Sequence, residues 1–173
     1  MQKRLIALAG NPNAGKSTLF NALTGSNQHV GNWPGKTVAK KEGVFYLDEC
    51  EITVVDLPGT YSLAAYSPEE VIAREFLLQQ RPTLVVNVID AANLERNLYL
   101  TVQLLEMGAP LLVVLNMIDA ATQLGITIDE KRLSRQLHSP VLCTVAHQQD
   151  GVEQVKKQII RMVRGQEETL HHV

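Results

Sequence analysis

Cysteine and long apolar runs are scarce in this chain of 173 residues. Its two cysteines, Cys50 and Cys143, lie far apart, which argues against a disulfide framework or a zinc motif. Both are expected to be small buried apolar residues in a reducing compartment. The longest uncharged apolar stretch, 109–117, has the length of a strand rather than of a membrane span, and no signal peptide is visible. We therefore expect the chain as given to be soluble and cytosolic.

Positive charge is not in excess either. The formal net charge is −2 and no basic run occurs, so nothing electrostatic indicates nucleic acid as a partner. What the chain has in quantity is apolar residues, at 45% of the sequence, enough for one domain with its own core. We expect a globular domain over residues 1–165, followed by a polar tail over 166–173, with no helical domain and no membrane portion in the chain.

The segment G-N-P-N-A-G-K-S, from Gly10 to Ser17, fits the phosphate-binding pattern G-x-x-x-x-G-K-[ST]. It follows an apolar run, 5–9, and opens a helical pattern, 17–23, which is the strand–loop–helix context that the pattern requires. Backbone N–H groups of such a loop converge on an anion, the lysine reaches the β- and γ-phosphates, and the serine hydroxyl binds Mg²⁺. A glycine-rich turn before an ordinary helix is the alternative. The predicted nucleotide contacts here are Gly10, Asn11, Pro12, Asn13, Ala14, Gly15, Lys16, Ser17 and Thr18.

Two further polar motifs follow predicted strands. Asp56 ends an apolar run and Gly59 completes D-x-x-G, which suits a carboxylate that holds the metal through water and a glycine N–H that meets the terminal phosphate. The segment Asn116-Met117-Ile118-Asp119 follows another apolar run. Asp119 can accept hydrogen bonds from guanine N1–H and its exocyclic amine, which adenine cannot supply. Asn116 can tie this loop to the phosphate loop. Each motif alone is weak, but three in this order predict a guanine nucleotide site.

The periodicity predicts alternating strands and helices, and so an α/β fold: a doubly wound, mostly parallel six-stranded sheet with helices on both faces. The predicted strands are 5–9, 39–47, 52–56, 84–90, 111–116 and 141–144. The predicted helices are 16–24, 68–80, 94–107, 129–137 and 151–164. Residues 28–37, polar and glycine-rich, are predicted to form a mobile loop. Ligands of such folds bind at the carboxyl ends of the strands, where the three motifs fall.

The stretches GNPNAGKSTLFNALTG, VGNWPGKTV, VVDLPGTYSL and VIDAANLERNLYLTVQLLEMGAPLLVVLNMID resemble the N-terminal G domain of FeoB-type ferrous iron transporters. N-W-P-G and D-A-x-N-L-E-R-N-L are the specific motifs, and the others are shared with the wider TrmE-Era group. The resemblance implies a Ras-like GTPase domain on the cytoplasmic side of a bacterial inner-membrane protein. It further implies that the domain binds GTP and GDP, and that it regulates ferrous iron transport by the membrane-embedded portion of the same parent protein.

The same resemblance assigns further roles. Thr37, with Gly35 nearby, belongs to switch I, and its hydroxyl would complete a Mg²⁺ site formed with Ser17 and Asp56. Family members of this kind resemble potassium-activated enzymes, with Asn13 and the backbone carbonyls of Gly31 and Trp33 as the implied K⁺ ligands. A cation there would stabilise charge as an arginine finger does, so that Lys16, Thr37, Asn13 and Gly59 form the implied catalytic set. As alternatives, Asn13 is a turn residue and Trp33 is a fixed aromatic anchor.

Two positions depart from related patterns. Thr60 stands where a Ras-like enzyme has its water-orienting glutamine, so we expect slow intrinsic hydrolysis. The guanine-backing loop reads Thr144-Val145-Ala146-His147 and lacks the usual serine, with Val145 and Ala146 as the expected contacts. The main alternative function is a TrmE-Era-like GTPase acting on RNA or on ribosome assembly, which would be expected to carry a basic appendage. A domain that binds nucleotide without appreciable hydrolysis is a third. Self-association into a homo-oligomer is left open.

Overall fold

A seven-stranded mixed sheet forms the centre of the molecule. The computed structural model describes residues 1–170, with side chains through residue 166. The strands are β1 (Gln2–Gly10), β2 (Gln28–Asn32), β3 (Ala39–Leu47), β4 (Cys50–Asp56), β5 (Leu84–Asp90), β6 (Leu111–Asn116) and β7 (Val141–Cys143). They are arranged in the order β2-β3-β4-β1-β5-β6-β7. Strands β4, β1, β5, β6 and β7 run parallel to one another. At one end of the sheet, β3 pairs antiparallel with both β4 and β2.

The prediction of six strands is wrong by one. Strand β2 lies within the segment that was predicted to be a mobile loop, and it pairs with β3 from Gln28 opposite Gly43 to Asn32 opposite Ala39. It is an edge strand whose residues are mostly exposed. An exposed edge strand of polar residues has no alternation of apolar and polar positions, because neither of its faces contributes to the core. The sequence therefore contains no periodic signal for it.

Helices cover both faces of this sheet. They are α1 (Lys16–Thr24), α2 (Pro68–Gln80), α3 (Leu94–Glu106), α4 (Ile118–Gln123), α5 (Glu130–Leu137) and α6 (Val152–Leu170). The short helix α4 was not predicted, since six residues are too few for a visible helical period. Helix α6 continues to Leu170, so most of the segment predicted as a polar tail is helical backbone, and residues 171–173 lie outside the described residues.

The alternation of side chains along each strand divides the apolar core in two. Ile6 and Leu8 of β1 point to one face, where they pack with residues of α1 and α6, including Leu19 and Ile159. The intervening residues of β1 point to the other face, which is covered by α2 and α3. Because both faces of the central strands are buried, their sequences are nearly continuous apolar runs.

Neither cysteine carries evident chemistry. Cys50 is buried at the start of β4. Cys143 of β7 has its thiol pKa raised to about 12, mainly by burial and then by a hydrogen bond to and the charge of Glu130. It is therefore a neutral thiol at ordinary pH. Among residues 1–170, no helix has both the length and the apolar character needed to cross a bilayer.

Candidate nucleotide-binding site

The phosphate loop connects β1 to α1 through backbone conformations that only a few residue types adopt readily. Gly15 has φ +85°, and a side chain there would place its Cβ 2.1 Å from Nδ2 of Asn116. Glycine is thus required both for the backbone and for the close approach of another loop. Asn13 has φ +67° and an exposed side chain, a conformation that asparagine tolerates well in turns. This geometry accounts for Asn13 as a turn residue and leaves its side chain accessible.

Lys16, Ser17 and Asp56 converge at the end of this loop. Lys16 and Asp56 form a buried ion pair between the first turn of α1 and the end of β4, with 8% and 7% of each residue exposed. Ser17 Oγ lies 3.4 Å from Asp56 Oδ2. The hydroxyl and carboxylate oxygens predicted to bind magnesium are therefore adjacent. The lysine neutralises a carboxylate that would otherwise be buried without a counter-charge.

Asn116, the first residue of the N-x-x-D segment 116–119, joins that segment to the phosphate loop and to the guanine-backing loop 144–147. Its Nδ2 donates to the carbonyl of Ala14 at 3.1 Å, which is the predicted tie between the two motifs. Its Oδ1 accepts hydrogen bonds from Thr144 Oγ1 at 2.9 Å and from the backbone N–H of Ala146 at 3.0 Å. Asn116 is 2% exposed, so every one of these bonds is shielded from water. Three loops are thereby held in register by a single side chain.

Thr144 is a site residue that sequence reasoning did not identify. The guanine-backing loop lacks the usual serine, and Thr144 supplies a buried hydroxyl to Asn116 instead. The signal was a threonine at the last position of the predicted strand 141–144. Val145 and Ala146 are buried behind it, and their N–H groups donate to the carbonyl of Asp150 and to Asn116 Oδ1, respectively. In this conformation the loop is closed by its own hydrogen bonds.

Asp119 lies in the first turn of the short helix α4. Met117 precedes that helix in the left-handed region, with φ +57°, and thereby turns the chain from β6 into α4. Asp119 Oδ1 is buried and has no hydrogen-bond partner among the described residues. A buried carboxylate oxygen without a donor is costly unless a ligand supplies one. This fits a guanine base, whose two N–H donors suit a carboxylate.

The switch I loop, residues 33–38, is a tight connection between β2 and β3. Trp33 N donates to the carbonyl of Val38 at 3.0 Å, and the Trp33 carbonyl accepts from Lys36 N at 2.9 Å. The Trp33 indole is 7% exposed and meets Phe76 of α2 edge-on, with ring centroids 5.6 Å apart. In the described conformation Trp33 is therefore fixed against α2, which corresponds to the alternative interpretation of Trp33 as an aromatic anchor. Gly31, Gly35 and Thr37 are exposed, and no hydrogen bond among the described residues joins Thr37 to Ser17 or Asp56.

The switch II segment, residues 57–67, passes directly over the phosphate loop. A Cβ at Gly59 would lie 3.1 Å from Pro12 Cα, so that only glycine fits without displacement. Thr60 is buried, and its N–H donates to the carbonyl of Gly10 at 3.1 Å. Glu70 at the start of α2 receives hydrogen bonds from Tyr66 N, while its own N–H donates to Ser67 Oγ. This is a helix-capping role, as expected for an acid in a first helical turn.

These residues fit a nucleotide with a hard divalent cation. Ser17 and Asp56 present the oxygen ligands that Mg²⁺ prefers. Asp119 presents the acceptor that a guanine needs. The remaining implied ligands, Thr37 for Mg²⁺ and Gly31 and Trp33 for K⁺, lie in or beside the switch I loop and are not brought into this cluster in the described conformation.

Comparisons with known proteins agree with this arrangement. The family model described as "Ferrous iron transport protein B" matches residues 4–159. The Fe(2+) transporter FeoB of Escherichia coli K12 is 49% identical over 176 aligned residues, which cover 99% of this chain and 23% of the relative. The chain thus spans about a quarter of the length of such relatives. The FeoB G domain of Methanococcus jannaschii is 49% identical, with a TM-score of 0.85 over 95% of this chain and 99% of that one. The cytosolic domain of the T. maritima FeoB in a GDP form is 44% identical, with a TM-score of 0.91 over 94% of this chain and 64% of that one.

Proposed function

The chain belongs to the ferrous iron transport protein B family, and we propose that it is a slow GTP-hydrolysing switch domain that regulates ferrous iron transport. It has the Ras-like P-loop GTPase fold of the family's G domains. We propose that GTP binds at the loop cluster around Lys16 and Asp119 and is converted to GDP and phosphate. The partner would be the membrane-embedded transport portion of the same parent protein, with this chain on the cytoplasmic side of the bacterial inner membrane.

The observation that carries this proposal is the buried bridge made by Asn116. A single amide holds the phosphate loop through Ala14 and the guanine-backing loop through Thr144 and Ala146. The two halves of the proposed nucleotide site are thereby held at a fixed separation by the protein's own hydrogen bonds. Such preorganisation supports tight, base-specific binding, because little ordering remains to be done on association.

We propose a separate role in GTP binding and hydrolysis for each group of the site. Lys16 would exchange its partner Asp56 for the β- and γ-phosphates, and Asp56 would then be available for the metal side of the site. The N–H of Gly59, held against the phosphate loop, would donate to the terminal phosphate. Mg²⁺, when bound by Ser17, Asp56 and Thr37, would supply neutralisation of the phosphate charge. Thr60 has no amide side chain with which to orient a water molecule, which supports a low intrinsic rate.

Potassium stimulation is the finer part of the proposal. The motivation is the accessible Asn13 side chain in the phosphate loop, together with Thr60 in place of a glutamine. A monovalent cation beside the phosphates would stabilise the charge that develops during hydrolysis. The Trp33 carbonyl accepts a hydrogen bond from Lys36 N, so its second lone pair would be the one offered to the cation.

The experiment compares GTP turnover by the domain in potassium and in sodium buffers of equal ionic strength. We expect faster turnover in potassium, loss of that difference in Asn13→Ala with GDP affinity retained, and no turnover in Lys16→Ala. A folded Lys16→Ala variant with near-normal turnover would contradict the phosphate-site assignment. Equal rates in both buffers would remove Asn13 and potassium from the mechanism while leaving the GTPase assignment intact.

The alternative of a TrmE-Era-like GTPase acting on RNA is not favoured. The family model and the similar proteins described above are ferrous iron transport proteins. The net charge of −2 also supports the absence of a nucleic-acid partner.

A further inference from the structure

Hydrogen bonds to neighbouring elements hold both ends of the switch II segment. At its start, Leu57 N donates to the carbonyl of Leu8 at 3.1 Å, next to the bond from Thr60 N to Gly10. At its end, Tyr66 N donates to Glu70 Oε2 at 3.1 Å, within the capping turn of α2. Although the segment has no regular secondary structure, its two ends are therefore fixed to β1 and to α2.

The middle of the segment is held from elsewhere, by helix α3. Leu63 N donates to Oε1 of Gln103 at 2.7 Å, and the Leu63 side chain is buried in the core. Two turns earlier on the same helix, the Arg96 guanidinium lies over the ring of Tyr61, 4.5 Å from its centroid. Residues seven apart lie on one face of a helix, so both contacts come from a single stripe of α3. Gln103 is thus a distant side chain that fixes a switch II backbone amide.

The specific motif D-A-x-N-L-E-R-N-L explains how α3 is fixed at this place. Asp90 accepts hydrogen bonds from Ala92 N and Asn93 Nδ2, and Asn97 accepts one from Asp90 N while donating to the carbonyl of Asn93. These polar side chains satisfy one another within the turn that opens the helix. Arg96 is the motif's cation, and it extends from this rigid turn to Tyr61.

We propose that Gln103 is a positioning residue for GTP hydrolysis, which holds the switch II segment so that Gly59 stays against the phosphate loop. This rests on the proposed function. It names a residue outside the nucleotide site that acts through the Leu63 amide, with Arg96 and Tyr61 as a secondary contact. The amide oxygen of Gln103 is the essential group, because it accepts the partly buried hydrogen bond of the Leu63 amide.

Loss of the Gln103 hydrogen bond is expected to slow GTP hydrolysis because of the position in which it holds the switch II segment. Gly59 already touches Pro12, and Thr60 is already bonded to Gly10, so the fixed segment is docked where the terminal phosphate is expected. A loosened segment would have to be ordered in each catalytic cycle, which slows the chemical step. GDP affinity should be unaffected, since GDP has no terminal phosphate for switch II to contact.

The test compares four variants with the unaltered domain. Gln103→Met keeps the length of the side chain but removes the acceptor, and Gln103→Ala removes both. Gln103→Glu keeps an acceptor oxygen, and Val102→Ala is a matched control at an exposed neighbouring position of α3. Single-turnover GTP hydrolysis, GDP affinity and hydrogen exchange of the Leu63 amide in the GDP complex are measured for each.

We expect Gln103→Met and Gln103→Ala to hydrolyse GTP about fivefold to tenfold more slowly, with GDP affinity within about twofold of the unaltered domain. The Leu63 amide should exchange at least about tenfold faster in both. Gln103→Glu and Val102→Ala should resemble the unaltered domain in all three measurements.

Several results would overturn the proposal: unchanged or faster hydrolysis in Gln103→Met, an equal loss in Gln103→Glu, or loss of GDP binding in parallel with activity, which would mark Gln103 as merely structural. An unaltered domain that hydrolyses no GTP would overturn the proposed function itself. The exchange rate of the Leu63 amide would then still show whether Gln103 holds the segment.

Discussion

We propose that base selection depends on one carboxylate, that of Asp119. Its buried Oδ1 has no donor among the described residues, and adenine cannot supply the pair of donors that guanine does. We expect Asp119→Ala to weaken GTP and GDP binding by about two to three orders of magnitude, because the paired hydrogen bonds to the base are lost. Equilibrium titration with a fluorescent guanine nucleotide measures this change.

The matched control for Asp119 is Asp129→Ala. Asp129 caps α5 by accepting a hydrogen bond from Arg132 N, away from the nucleotide site. Its removal should reduce stability slightly and leave nucleotide affinity unchanged. If ATP competed as well as GTP in the unaltered domain, Asp119 would have no role in base selection, whatever its variants did.

Buried polar side chains of α3 and β5 link helix α3 to the start of the phosphate loop. Asn87 of β5 is 1% exposed, and its Nδ2 donates to the carbonyl of Ala9, the residue before the phosphate loop, at 3.3 Å. Thr101 of α3 donates its hydroxyl to Asn87 Oδ1 at 2.5 Å. A buried polar chain thus runs from the helix through the central strand to the start of the loop.

Replacement of Thr101 by valine tests this chain. The two side chains have similar shapes, but the valine leaves Asn87 Oδ1 buried without a donor. We expect Thr101→Val to lower the free energy of unfolding by about 1–3 kcal/mol, measured by urea denaturation. Thr122→Val, which removes an exposed helix hydroxyl, should change it by less than about 0.5 kcal/mol. Equal effects of both substitutions would show that the buried chain adds nothing to stability.

For the molecule as a whole, Trp33 connects the two switches. It lies at the base of the switch I loop and packs against Phe76 of α2, the helix that follows switch II. Thr37 is exposed in this conformation, so for its hydroxyl to reach a metal at Ser17 and Asp56 the loop must rearrange. The backbone of Trp33 is hydrogen-bonded to Val38 and Lys36, so such a rearrangement would change the surroundings of the indole.

We therefore expect a non-hydrolysable GTP analogue with Mg²⁺ to change the tryptophan emission of the domain, and GDP to change it much less. Because the chain has one tryptophan, the signal is unambiguous. Thr37→Ala should lose the GTP-specific component and slow hydrolysis while keeping GDP affinity. Identical spectra with both nucleotides would show that Trp33 stays fixed on Phe76, and would direct attention to residues 57–67 as the only moving switch.

Much of this molecule could be predicted from local patterns. The bounds of β5 and β6 match the predicted strands, because nearly continuous apolar runs between turn residues have few other interpretations. The bounds of β3 also match, although only its second half is apolar. Ser67 caps α2 and Pro68 is its first residue, so the helix starts at the predicted residue. The phosphate loop and the Asp56 and Asn116 motifs could be placed at one edge of the sheet, since parallel strands bring their carboxyl ends together.

Tertiary contacts decided the rest. Strand β2 exists only because β3 offers it a partner, and its exposed polar residues contain no periodic trace of that pairing. The indole of Trp33 is anchored by a phenylalanine 43 positions away in the sequence, and the Leu63 amide by a glutamine 40 positions away. Thr144 could replace the expected serine because folding places its hydroxyl 2.9 Å from Asn116. The sequence by itself determined the fold class and the chemistry of the site, since both depend on short-range patterns. Which side chains hold the switches depends on distances between elements that only the folded chain establishes.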